Sequence, residues 1–115
     1  MPPTDHQQVS SLFLEANSLA DYAVLAPGLA RSRFRAVTAN SALKVGMLLG
    51  YGWDNRVEDC RISSNAVGLE IFNAANNVNV LNTMIVQNLG IGLHLHGGQQ
   101  VNVEGNSFDG NGVKW

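Results

Sequence analysis

The chain has 115 residues, with seven Lys or Arg against nine Asp or Glu and a net charge of −2 at pH 7. That length supports one domain or part of one, and the slight acidity excludes the basic surface of a nucleic-acid or anionic-membrane binder. Charged residues make up only 14% of the chain, against about 25% in ordinary globular domains. Asn and Gly take their place, which is the composition of turn-rich β structure. No run reaches the roughly 20 apolar residues of a transmembrane helix. The single cysteine, Cys60, excludes an internal disulfide.

In chain order, residues 1–20 read as an N-terminal arm or cap and residues 21–115 as repeating coils. The opening "MPPTDHQQVSS" lacks the basic-then-apolar order of a signal peptide, so no compartment is named by the sequence. "SSLFLEANSLA" at Ser10–Ala20 predicts a short amphipathic helix with Leu12, Ala16, Leu19 and Ala23 on one face and Ser10 or Ser11 as N-cap. An irregular strand over the first coil is the alternative, and either would protect a sheet edge. "DYAVLAPG" at Asp21–Gly28 predicts a first strand. "RSRFRAVTAN" at Arg31–Asn40 predicts the rest of that coil, with Phe34 and Val37 inward and Asn40 at its turn.

From there the chain repeats. "VEDCRISSN" at Val57–Asn65, "VLNTMIVQN" at Val80–Asn88 and "VEGNSFDGN" at Val103–Asn111 align residue for residue. The columns are Val57, Val80 and Val103; Cys60, Thr83 and Asn106; Ile62, Ile85 and Phe108; and Asn65, Asn88 and Asn111. "GMLL" at Gly46–Leu49, "GLEI" at Gly68–Ile71 and "GLHL" at Gly92–Leu95 supply one further strand per repeat. Alternate residues are apolar and no strand exceeds about five residues, so a single repeat of about 23 residues cannot bury its apolar face alone. Stacked at about 4.8 Å, equivalent residues form ladders. Asn suits the inward corner because its amide both donates and accepts and its backbone tolerates left-handed angles. The expected fold is all-β, a short right-handed parallel β-helix of three to four coils with an N-terminal capping segment.

"NVNVLNTMIVQN" at Asn77–Asn88, followed by "GIGLHL" at Gly90–Leu95, resembles the right-handed parallel β-helix repeat of the pectate-lyase-like superfamily. The resemblance covers Gly46–Gly112. It implies a fold rather than an activity, since that superfamily holds lyases, hydrolases, epimerases, tailspikes, adhesins and proteins without known catalysis. In its enzymes, active residues project outward from the first sheet of the coil. Carried onto this chain, the outward positions are Leu48, Glu70 and His94, with Gly50, Phe72 and His96 beyond them.

Glu70 and His94, as vertical neighbours, form the one constellation resembling an acid/base pair. Glycoside hydrolysis needs two carboxylates, and this surface offers one. The acidic calcium ligands that the resemblance implies for a lyase are not visible. His94 and His96 share a strand face, but two ligands are too few for a metal site, and no cofactor is expected. Arg31, Arg33 and Arg35 form an alternating row suited to an anionic sugar, a phosphate or an acidic partner, or to a solvated strand face. Tyr51 and Trp53 in "GYGWDN" suit sugar stacking, a protein interface or packing over a corner. Cys60 is expected as a small buried turn residue.

The sequence reaches Trp115 where the next first-sheet strand is due, which reads either as a piece of a longer β-helix or as an end covered by a partner or a copy. The expectation is a structural or interaction module that docks on a larger assembly, with catalysis disfavoured. The alternatives are a carbohydrate-active or carbohydrate-binding fragment of the pectate-lyase-like kind and a trimeric spike or adhesin subunit.

Overall fold

A computed structural model describes residues 4–5, 8–50, 52–72, 76–96 and 99–112; for Thr4, Asp5, His96 and Gln99 only the backbone is described. The chain enters through β1 (Thr4–Asp5), β2 (Gln8–Ser10) and β3 (Phe13–Glu15). The next coil holds β4 (Tyr22–Pro27), β5 (Leu29–Ala30), β6 (Arg33–Arg35) and β7 (Thr38–Asn40). Three coils of three strands follow: β8 (Val45–Gly50), β9 (Arg56–Glu58), β10 (Arg61–Ser63); β11 (Val67–Phe72), β12 (Asn76–Leu81), β13 (Met84–Val86); and β14 (Leu93–His96), β15 (Gln99–Glu104), β16 (Ser107–Asp109).

Like strands of successive coils pair in parallel. The first sheet is β4-β8-β11-β14, the second β2-β6-β9-β12-β15 and the third β3-β7-β10-β13-β16. The result is a β-solenoid of four coils above a partial one. Phe34, Val57, Val80 and Val103 stack in the second sheet, and Ala39, Ile62, Ile85 and Phe108 in the third. The first sheet is less regular. Met47–Leu69 falls one residue short of the 23-residue step and Leu69–Leu93 one residue beyond it, because the turn from β10 to β11 is shorter than that from β13 to β14.

Each corner is made by a residue in the left-handed region. Ala36, Asp59, Asn82 and Gly105 (φ 54°, 53°, 49° and 65°) turn the second sheet into the third. Arg31, Asp54, Asn77 and Gln100 (φ 47°, 58°, 53° and 53°) lead into the second, and Ser41, Ser64, Gln87 and Gly110 leave the third. The abundance of Asn, Asp and Gly follows, since these residues enter that region with the least cost. Inside lie Met47, Leu49, Ile62, Leu69, Ile71, Val78, Val80 and Ile85, all at 0–1% exposure. Each is too short-ranged to be buried within its own coil, so burial comes from stacking.

Two expectations are corrected. Ser10–Ala20 holds no helix: β2 and β3 pair in parallel beneath β6 and β7, placing Val9 under Phe34 and Leu14 under Ala39. Extending two sheet edges satisfies backbone groups over a long front, whereas the supposed helical face remains wet, with Leu12 at 47% and Leu19 at 80% exposure. Only a single turn survives, with the Leu19 and Ala20 N–H groups donating to Ala16 C=O. Asn40 is not at the ladder corner either. It ends β7 in register with Ser63, and Ala42 holds the place below Asn65, to whose Oδ1 its N–H donates at 2.8 Å.

Candidate functional site

The outer face of the first sheet is where the sequence places its acid/base pair. Glu70 pairs in register with Leu48 below and His94 above. His94 Nδ1 lies 3.6 Å from Glu70 Oε1, with the side chains 39% and 18% exposed. That distance lies beyond hydrogen-bond range, so the contact is an ion pair only when the imidazole is protonated. In the next row Phe72 lies across Gly50, where a Cβ would come within 2.6 Å of the Phe72 ring. Leu48, though outward, is only 6% exposed, and Leu25 beneath it is 56% exposed. The strip is thus apolar in its lower coils and carries one carboxylate and one imidazole above. Among the described residues no three His, Cys, Asp or Glu side chains converge as a metal site. The His96 side chain and Tyr51 lie outside the described residues.

The three arginines are not one row. Arg33 and Arg35 project from β6, whereas Arg31 occupies the preceding corner at φ 47°. Arg33 Nε contacts Glu58 Oε1 at 3.1 Å and Arg35 Nε contacts Asp59 Oδ2 at 3.8 Å, so both are met by carboxylates of the next coil. Arg56, which the sequence reading passed over, stacks on Arg33 and reaches Glu58 Oε2 at 3.9 Å. The 23-residue step was the signal that could have found it. These exposed pairs add little stability; their effect is to reduce the net positive field available to an anion. Trp53, 41% exposed, forms parallel bridges with Ala30 and Asn76 and so belongs to a corner strip.

The polar columns are buried. Asn88 Oδ1 accepts from Asn65 N and Nδ2 at 3.0 and 3.1 Å, and Asn88 Nδ2 donates to Ile62 C=O at 3.3 Å. Asn111 Oδ1 takes the same two bonds from Asn88, at 3.0 and 2.9 Å. The Cys60, Thr83 and Asn106 column is hydrogen-bonded as well, and a further polar pair, Ser32 and Asn55, went unnoticed in sequence. Cys60 N–H donates to Thr83 Oγ1 and Thr83 N–H to Asn106 Oδ1. Asn55 Oδ1 accepts from Ser32 N–H while its Nδ2 donates to Leu29 C=O. Cys60 is 3% exposed, and burial raises its pKa above the ordinary thiol value.

The strongest departure from a closed core is at the last coil. Leu95, Val103 and Phe108 face inward yet are 47%, 38% and 43% exposed, while Ile71, Val80 and Ile85 directly beneath are at 0%. Leu93, His94, Leu95 and Phe108 line a cavity of about 180 Å³ there. No helix among the described residues is long and apolar enough to cross a membrane.

No curated protein and no solved structure matches the chain. The family model for the right-handed β-helix region matches residues 8–114, nearly the whole sequence. The parallel three-sheet coil agrees with that match and with the superfamily resemblance of the repeats, and the chain therefore belongs to the right-handed β-helix family.

Proposed function

We propose that this chain is a non-catalytic structural module, a short β-solenoid that docks into a larger assembly through its coil ends. The observation that carries the reading is the last coil, where Leu95, Val103 and Phe108 hold core positions but are 38–47% exposed. Apolar surface at an open sheet end favours further stacking, because burial is worth about 25 cal/mol per Å² and the edge groups gain partners. The covering surface is another β-solenoid coil, since only a strand layer in the same register meets the three sheet edges together. The outer face of the first sheet supports the same conclusion, with Glu70 as its one described carboxylate and apolar residues below it.

The test is intact mass and assembly mass measured together on protein from its native source. A 12.3 kDa chain inside a larger particle is the expected result. A stable, freely soluble monomer of that mass would sink the docking reading. One observation favours a second reading: Glu70 and His94 stand 3.6 Å apart on the face that bears active groups in superfamily enzymes. A carbohydrate-active fragment predicts depolymerisation of acidic polysaccharides that Glu70→Ala abolishes without loss of fold.

A further inference from the structure

Among the described residues sulfur occurs at Met47, Cys60 and Met84, and the coil gives each a different exposure. Met47 is a core residue of β8 at 0%, Cys60 lies between β9 and β10 at 3%, and Met84 projects from β13 at 44%. Ile85 takes the inward position beside Met84 at 0%, so the thioether lies on the outer face of the third sheet. Arg61 of β10 stands in register below it and Ser107 of β16 above. Its exposure is therefore that of a residue inside a sheet, with strands on both sides, and owes nothing to either end of the coil. Arg61 Nη1 donates to Met84 Sδ at 3.9 Å. We propose that Met84 is a site of reversible oxidation by hydroperoxides, and that Arg61 holds the sulfoxide that forms there.

The chemistry selects Met84 from the three sulfur atoms. A thioether attacks without first losing a proton, whereas a thiol reacts as its thiolate. Burial both shields Cys60 and raises its pKa above the ordinary thiol value, which keeps the thiolate scarce. Met47 has the right group and no access. At Met84 a sulfur lone pair attacks the outer oxygen of the peroxide. The O–O bond breaks, an S–O bond forms, and the proton of the transferred oxygen passes to the departing one, which leaves as water or an alcohol. Sulfur is oxidised and the peroxide reduced. A thioether sulfur is a weak acceptor, but a sulfoxide oxygen is a strong one, so the guanidinium already at the sulfur gains a charge-assisted bond. The unbranched methionine side chain lets the oxygen turn toward it. The inward ladders are untouched, and the apolar member of the Arg61, Met84 and Ser107 column becomes polar. A thiol-dependent sulfoxide reductase reverses the step, two thiols becoming a disulfide as the oxygen leaves in water. Neither direction depends on what covers the coil ends.

The full chain is treated with hydrogen peroxide at neutral pH and followed in time by peptide mass mapping. Met84 sulfoxide is expected to form about tenfold or more faster than Met47 sulfoxide in the folded chain, and at the same rate once the chain is unfolded in urea. Equal rates in the folded chain would overturn the site, and so would an equal preference for Met84 in urea, since the fold would then not select it. The part of Arg61 is read from urea unfolding of oxidised and reduced protein. Arg61 is exposed, so Arg61→Gln keeps the fold. Oxidation is expected to lower the folding constant about two- to fivefold more in Arg61→Gln than in wild type. The same change in both would remove Arg61 from the sulfoxide. Met84→Leu should keep its midpoint through peroxide treatment; a shift there would place the effect at another residue. Reductases for both sulfoxide epimers, supplied with dithiothreitol, should restore the mass and midpoint of the oxidised protein. A sulfoxide that survived them in the folded chain would overturn the reversal.

Discussion

Replacing Asn88 with alanine tests whether the asparagine column holds the coils in register. Asn88 is 2% exposed. Its side chain accepts from the N–H and the Nδ2 of Asn65 and donates to Ile62 C=O and to Asn111 Oδ1. Four bonds at a net of about 1 kcal/mol each give about 4 kcal/mol, and the buried Asn65 N–H left without an acceptor keeps the figure from falling much below that. For a domain with a urea m-value of about 2 kcal/mol/M, the midpoint should drop by about 2 M. Urea unfolding followed by far-ultraviolet circular dichroism measures it. The comparison is Asn102→Ala, which removes one exposed bond to Asn79 and should cost less than about 1 kcal/mol. If Asn88→Ala cost no more than Asn102→Ala, the column would be decoration on a fold held by its apolar stacks alone.

Three further outcomes follow from the same geometry. Ala36 holds φ 54° in a corner that Gly105 fills at φ 65°, so Ala36→Gly should raise stability by about 1 kcal/mol, read as a higher melting temperature. A Cβ on Gly92 would meet Asn111 Nδ2 at 2.8 Å and Cγ at 3.0 Å, so Gly92→Ala should cost about 1–3 kcal/mol. In an Asn111→Ala background that cost should shrink, and strict additivity in the double-mutant cycle would show that the two do not meet. Burial raises the Cys60 pKa above the ordinary thiol value; below that ordinary value its contribution to stability is full, and it should be lost progressively as pH rises through the folded pKa. Urea midpoints across pH 8–11 for wild type and Cys60→Ser should separate this from general alkaline unfolding.

The repeats made most of the solenoid legible. Val57, Val80 and Val103, or Ile62 and Ile85, announce a register that the sheets then follow, because stacking demands the same residue type at the same place in each coil. Legibility failed where the period changed. The lowest coil steps by 25 residues, so Val9 and Leu14 do not align with Phe34 and Ala39 on a 23-residue ruler. The local spacing of Leu12, Ala16 and Leu19 then spoke for a helix that long-range pairing overrides. Asn40 was misplaced for a related reason: a side chain in the ladder serves the coil below it, so the lowest member of the column needs no asparagine and Ala42 suffices. Glu70 and His94 were legible as neighbours because register alone brings them together. The diagonal contact of Glu58 with Arg33 and its same-strand contact with Arg56 depend on side-chain reach, which the columns do not record.

The two loudest motifs, Gly-apolar-x-apolar and the recurrent Asn, are parts of one device. A Cβ on Gly46 would collide with the amide of Asn65, on Gly68 it would meet Asn88 Nδ2 at 2.8 Å, and on Gly92 Asn111 Nδ2 at 2.8 Å. Each ladder amide occupies the space of a side chain that the first sheet omits at its entry, so glycine is required there by close approach rather than by its backbone freedom. The motif that marks the family is therefore taken up in stacking one coil on the next. What differs from one β-helix to another has to be sought where the ladders do not dictate the residue: the outward strip of Leu25, Leu48, Glu70 and His94, the corner strip at Trp53, and the two coil ends. Among these, the last coil departs furthest from a closed, self-sufficient surface, with core-position residues at 38–47% exposure. That contrast is why we propose docking, rather than chemistry on the first sheet, for this chain.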